Sequence, residues 1–534
     1  MNTAAAIGAP ASRDTKSSSW SRFVSLFAHN HLGNLLFVSM LLIGFFHGWL
    51  KLKFRGVLTT FAFDIPLLLS LAVTLSQVPR MDPWIPAGRM GNALKTFLAL
   101  AVFYMVLPFG VPWVAILSAF RGWCFIPLTF LLGYHLVRSV RQVEVYFWII
   151  IILGALTGIY GAMQTPEEIR RRMAEDAEFA AKFFNTFYSN SKGEARLRAF
   201  STFVSAAAFG GTMAYTVMFA VSRFSVAGNS WKERIILLAC AAPMAYGIIL
   251  SGSRTSMIMM AMGFILTAWY RRNILQYILA PAVAFFAFKA GSIYTGGDSL
   301  NRFSGLINPE ELYGRLYIVF YPMMSALIDN PFGGGLGMSG HGVPFALINQ
   351  LGGFRFRGVD GDIGRLGVDM GIIGIGVFLW LLIAGALDAY RNMKQLRDTP
   401  LTIVGVPAGA MFIIAVIIMP TGSPFLAIPG GALLWFFLGA LERLTVEYRK
   451  LEAITPETVK TDAMFISFIQ PPKTRLLFSE DKVETKKAAA AAPRARVIQT
   501  APVTRRFLFS RTDAENKALS DRRAAFRRGR RVDR

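Results

Sequence analysis

The run VYFWIIIILGALTGIYGAM, from Val145 to Met163, decides the fold class, because it passes nineteen residues without a single charge. Roughly 18 such residues suffice for a helix to cross the hydrocarbon core of a bilayer. Working outward from this run, apolar segments of similar kind fall near 34–50, 56–78, 95–118, 122–138, 144–163, 200–222, 234–251, 254–270, 274–290, 369–388, 401–420 and 424–441. A soluble protein can bury one or two such segments in a core, but not about twelve. The composition agrees: 54% of the 534 residues are hydrophobic and 16% charged, against about 25% charged in soluble domains. The expected fold is an all-α, polytopic membrane protein with two long outer loops that carry surface helices.

Punctuation within the segments is uneven. Pro108, Gly110 and Pro112 fall inside the third and should kink or break it. Pro420 and Pro424 leave a tight turn between the last two. No internal repeat is visible, so nothing supports an inverted-repeat transporter. The two cysteines, Cys124 and Cys240, both lie in apolar runs, which leaves neither a disulfide framework nor a zinc site.

Orientation follows from the basic residues. Arg80, Arg89, Arg138, Arg141, Arg223, Lys232, Arg234, Arg271, Arg272, Arg391, Lys394 and Arg397 gather in alternate turns with few acids. The positive-inside rule puts those turns and both termini in the cytoplasm. Lys51, Lys53 and Arg55 run against this trend in the first hairpin. Residues 1–33 read as a retained N-terminal tail and 34–443 as the membrane domain. Residues 444–534 hold an alanine run and basic clusters such as Arg527-Arg528-Gly529-Arg530-Arg531. They read as a disordered cytoplasmic tail drawn to anionic membrane lipids. In this setting the net charge of +24 points to membrane surfaces and topology, and no nucleic-acid partner is expected.

This topology leaves loops 164–199 and 291–368 outside. The first opens on Thr165-Pro166-Glu167-Glu168, a capping box with proline at the first helical position. Ile169, Met173, Ala180, Phe184 and Phe187 then share a face, as in a helix lying on a membrane surface. The second should hold a helix near 310–330, followed by the glycine-rich stretch Asn330 to Gly337. Long loops above a bundle otherwise joined by short turns mark a working site.

Arginines on that outer side are the candidate site residues. Arg198 precedes the sixth segment, Arg254 sits in the short turn Ser251-Gly252-Ser253-Arg254-Thr255, and Arg315 follows Gly314. A lone arginine in an outward turn opposes the positive-inside trend, and a guanidinium fork suits phosphate or diphosphate. Lipid-headgroup contacts or pairing with loop acids are the structural alternative. Asp64, within the second segment, is expected to pair with a nearby cation such as Arg55, while His47 and His135 read as packing residues.

The order of these features resembles the bacterial O-antigen ligase/polymerase family. Arg198 before a span, Ser253-Arg254-Thr255, Gly314-Arg315, the Asn330-to-Gly334 stretch and Asp369-Met370-Gly371-Ile372-Ile373-Gly374 follow one another as that family's motifs do. The likeness covers roughly residues 195–390. It implies a metal-independent glycosyltransferase without cofactor, acting on undecaprenyl-diphosphate-linked oligosaccharide outside the bacterial inner membrane. The arginines would then hold the diphosphate as it leaves. Ligases of the family carry a histidine about eleven residues before the first glycine of the closing motif; here that position is Asp360, within Val359-Asp360-Gly361-Asp362. Asp360 is therefore the expected general base, with His341 as the second candidate and Arg365 as a further substrate-binding residue. Asp360 and Asp362 can equally be a solvated loop pair or form a salt bridge to Arg355, Arg357 or Arg365. Their Asp-x-Asp spacing also matches nucleotide-sugar metal sites, but the pattern is common and such sugars lie on the other side of the membrane.

A polymerase joining lipid-linked repeat units into exopolysaccharide, capsule or O-antigen is the leading expectation. A chain-length regulator or other assembly protein would be its partner. A ligase acting on lipid A core or another acceptor comes next, and a glycan transporter third.

Overall fold

The computed structural model describes residues 30–454, apart from 55–58, 60, 80–81, 108, 177–178, 181–182, 184–185, 190–194, 227–228, most of 272–308, 344–358, 398 and 400. The ninth apolar segment, most of the N-terminal tail and residues 455–534 lie outside the described residues.

Helices dominate. In chain order they are α1 (His31–Phe45), α2 (His47–Lys53), α3 (Asp64–Ser76), α4 (Arg89–Val106), α5 (Trp113–Leu136), α6 (Val140–Met163), α7 (Pro166–Glu175), α8 (Ala206–Phe224), α9 (Trp231–Leu250), α10 (Arg254–Arg271), α11 (Pro309–Asp329), α12 (Asp362–Gln395), α13 (Thr402–Ile418) and α14 (Gly430–Ile454). Among the described residues, α5, α6, α9 and α12 are long and apolar enough to cross a membrane, and α1 with α2 makes a fifth if that pair, bent by 68°, is one span. At 24 residues, α6 reaches about 36 Å.

Two corrections concern the early segments. Helix α4 stops at Val106, and the chain does not resume a helix until Trp113. The proline- and glycine-rich stretch therefore separates two helices, and the segments expected at 95–118 and 122–138 are redivided. The second is a single helix through a π-helical turn, Arg121–Phe125. The closing helix also runs past residue 444 to Ile454. No breaker precedes Pro456, and Arg443–Glu447 (2.7 Å) and Lys450–Glu447 (3.3 Å) pair along its surface.

Helix α14 is the axis of the bundle. Ala432 to Leu438, Ala440, Leu441 and Leu444 are all buried, and Trp435 packs edge-on against Phe412 and tilted against Phe425. It meets α5 at backbone distance: a Cβ on Gly133 would lie 1.8 Å from the Phe436 carbonyl oxygen, and one on Gly439 2.0 Å from that of Phe130. Only glycine permits this approach from either side.

A polar knot ties α1, α3 and α6. Gln142 donates to Asn34 Oδ1 (2.7 Å), the Tyr146 hydroxyl donates to the same oxygen, and Asn30 donates to Thr74 (3.3 Å). Away from water such groups must satisfy one another. Close to the same end of α6, Arg223 bridges Glu144 (2.7 Å) and Glu233 (3.3 Å).

The first long loop begins as its capping box announces, but the helix ends at Glu175, short of Phe187, expected on the same helical face. The Thr165 hydroxyl accepts from Glu168 N–H at 3.3 Å, and Pro166 opens α7. Ile169 is buried with Phe179, Phe183 and Phe200, and Met173 and Phe187 flank that small cluster. The loop then makes a hairpin that the all-α expectation omits, with β1 (Phe187–Ser189) antiparallel to β2 (Ala195–Leu197). Phe184 lies outside the described residues.

Candidate functional site

The glycine-rich stretch and the Asp369-to-Gly374 motif, apart in sequence, are one structure. Helix α12 begins at Asp362, inside the expected outer loop, and breaks at Gly371 (φ 62°, ψ −157°). At the break the loop from Pro331 docks edge-on. Ile372 N–H donates to the Pro331 carbonyl (2.9 Å), Gly334 N–H to Val368 (2.8 Å) and Gly335 N–H to Asp369 (3.1 Å). The two chains touch so closely that a Cβ on Gly333 would lie 2.6 Å from Gly371 N. The Tyr104 hydroxyl, from α4, donates to the Phe332 carbonyl at 2.6 Å and fixes the loop from its other side.

Asp369, fully buried, anchors the far end of this loop. Its carboxylate accepts from Ser339 N–H (2.8 Å), the Ser339 hydroxyl (3.1 Å) and the Trp123 indole N–H (3.2 Å). Two residues beyond Ser339, His341 lies against α5. A Cβ on Gly122 would sit 3.6 Å from its Cδ2 and 3.8 Å from its Nε2. Burial, with Arg365, Arg121 and Lys51 nearby, pushes the imidazole well below the usual histidine range. The same burial and cations favour the uncharged imidazole over the imidazolium.

Arg121 begins the π-helical turn and pairs with Asp64 at 3.4 Å, both side chains deeply buried at 8% and 4% exposure. Asp64 thus pairs with a cation on α5, while the expected partner Arg55 lies outside the described residues. A π-helical turn inside an α-helix redirects the side chains around it and often marks a functional site.

Arg365 is the common neighbour. It interacts electrostatically with Asp362, Asp369 and His341, and it donates to the Ser423 hydroxyl at 2.9 Å. Asp362 is fully buried, which rules out the solvated-pair alternative for it. Its carboxylate accepts the Phe425 N–H (3.0 Å), and its own N–H donates to the Gly422 carbonyl (3.2 Å). Asp360 differs: it is exposed, and its carboxylate accepts the neighbouring Gly361 N–H at 2.9 Å.

The remaining arginines join at the same end of the bundle. Arg198 leaves the hairpin with its N–H donated to the Thr186 carbonyl (2.7 Å) and its Nε to the Ser251 carbonyl (3.1 Å). Ala199 N–H donates to Leu250 (2.9 Å), so the hairpin root is bonded to the turn that carries Arg254. That turn meets the second half of the site where a Cβ on Gly422 would lie 3.5 Å from Thr255 Cγ2. Arg198, Arg254 and Arg365 are each partly buried. Arg315 is on α11, whose Val319 packs on Gly361 and Gly364; its side chain lies outside the described residues, as do Arg355 and Arg357.

Arg121 was missed in the sequence. Its signal was a single charge in the middle of the otherwise uncharged run from Trp113 to Leu136. Among the described residues no three His, Cys, Asp or Glu side chains gather as a metal-ligand set. No protein-family model matches the chain, and no curated protein matches it either.

Proposed function

We propose that this chain is a polysaccharide polymerase of the inner membrane that joins undecaprenyl-diphosphate-linked repeat units on the outer face. In this reading the chain crosses the membrane about twelve times with both termini inside. One observation carries the proposal: Arg198, the Arg254 turn, Arg365 and His341 sit at one end of an apolar bundle, around a helix broken where a glycine loop docks. Fixed cations beside a neutral imidazole suit the breaking of a bond between a sugar and a diphosphate.

Electron flow balances without a further reactant. His341 takes the proton of an acceptor sugar hydroxyl as its oxygen attacks the anomeric carbon of the donor. The bond from that carbon to the diphosphate oxygen breaks, the electron pair stays on the diphosphate, and Arg198 and Arg254 hold the charge. His341 replaces Asp360 as the favoured base, because the Asp360 carboxylate is exposed and engaged by the Gly361 N–H, whereas His341 lies within the cation cluster.

Placing the base on a histidine also supports a second reading, a ligase that delivers finished glycan to lipid A core. Purified protein in nanodiscs, given lipid-linked repeat units, a chelator and no nucleotide sugar, separates the two. A ladder of longer lipid-linked glycans, lost in His341→Ala, supports the polymerase. Transfer of preformed polymer to a lipid A-core acceptor with no ladder makes it a ligase. Movement of lipid-linked sugar across vesicles without either product makes it a transporter.

A further inference from the structure

We propose that the buried Arg121–Asp64 pair is a positioning device for His341, setting the charge around the imidazole and hence the pH range in which it serves as base. The proposal rests on His341 being the base.

Separate segments converge here. Arg121 belongs to the π-helical turn of α5, Asp64 opens α3, Lys51 lies on α2, and His341 is in the glycine-rich loop. The loop and the turn share one contact surface. The His341 ring rests on Gly122, the residue after Arg121, and a Cβ on Gly342 would sit 3.7 Å from Arg121 Nη2. The guanidinium is therefore under the backbone that bears the histidine. Asp64 holds it from behind at 3.4 Å, and the Phe61 ring lies 5.7 Å away.

Such a pair adds little stability over apolar side chains of the same size. Ionisable groups within a membrane bundle usually serve a site. Among the described residues, the charges that act on His341 are Arg121 from α5, Lys51 from α2 and Arg365 from α12. Asp64 stands behind Arg121, and Asp369 is joined to the same loop through Ser339. Three cations disfavour an imidazolium, and the Arg121–Asp64 pair lets one of them be buried at this point without leaving a lone charge. The His341 environment thus depends on two residues that need not touch substrate.

The test is the pH profile of ladder formation by the full chain in nanodiscs. Removing a cation raises the histidine pKa, so Arg121→Gln should move the acid limb upward. Removing the acid takes a negative charge from the cluster, so Asp64→Asn should move it downward. At an effective dielectric of about 20, a unit charge about 6 Å away corresponds to about two pH units and one about 12 Å away to about one. Arg121→Lys should keep the wild-type limb, and NMR of histidine ring carbons should show the same shifts in the His341 signal. Opposite shifts from the two partners support the proposal, since loss of a structural contact would move both variants alike. An unmoved limb in both, or the same direction in both, overturns it. If Arg121→Gln does not fold, Asp64→Asn decides alone by its downward shift or its absence. If His341→Ala keeps an unchanged acid limb, the base assignment fails first and this proposal with it.

Discussion

Gly371→Ala should unseat the site by acting on backbone alone. At φ 62° and ψ −157°, Gly371 occupies a region closed to side-chain-bearing residues, where strain costs about 1–3 kcal/mol. The added methyl would also lie 2.3 Å from both the Phe332 carbonyl carbon and the Pro331 oxygen, and 2.4 Å from Gly333 N. None of these atoms can rotate away. Relief requires the loop to retreat, which breaks the bonds from Ile372, Gly334 and Gly335, each worth about 1 kcal/mol net. The sum is about 4–6 kcal/mol. Gly376, five residues on in the same helix, has nothing within 4 Å of its missing methyl. There alanine should be neutral or stabilising by about 0.5–1 kcal/mol. Heating both variants in one detergent and following aggregation against temperature gives the comparison. Gly371→Ala should lose several degrees and nearly all ladder formation, because Ser339, which Asp369 anchors, and His341 hang from that loop. If the two variants melt together and both make polymer, the loop is not held by the helix break and the geometry argued for His341 is wrong.

Arg198→Lys and Arg254→Lys keep the charge but lose the fork, and each should slow polymer formation by roughly 30- to 1000-fold at unchanged expression. Normal polymer yield from both would make these residues lipid anchors. Alkaline phosphatase fused after Gly296 should be active and the same fusion after Arg397 silent, with the reverse pattern placing the site in the cytoplasm.

The helical bundle was legible because apolar runs such as Val145 to Met163 have no other use. The capping box at Thr165 located α7 to the residue, since that signal is local. What stayed hidden depends on contacts distant in sequence. The Asn330-to-Gly337 stretch and the Asp369 motif are visible as glycine-rich words, yet nothing in either says that they lie edge to edge. Arg121 falls at the border drawn between two expected spans, so its position in mid-helix could not be seen until Trp113 to Leu136 proved continuous. The hairpin at 187–197 escaped because each strand has three residues, too short for alternation to register. Asp64 could be given a cationic partner from its neighbourhood in sequence, but the one it meets is 57 positions away on another helix.

The glycine seam between α5 and α14 sets an order for manufacture. Ribosomes deliver the α5 groove, around Phe130 and Gly133, some three hundred residues before the helix that fills it. During that interval the early helices have lipid or one another where Phe436 and Gly439 will later lie. Truncation anywhere before Gly430 therefore removes more than a terminal helix: it leaves the first third of the chain without the axle on which it turns inward. A separately expressed Gly430–Ile454 segment, supplied in trans to such a truncation, is the piece whose arrival should close the bundle.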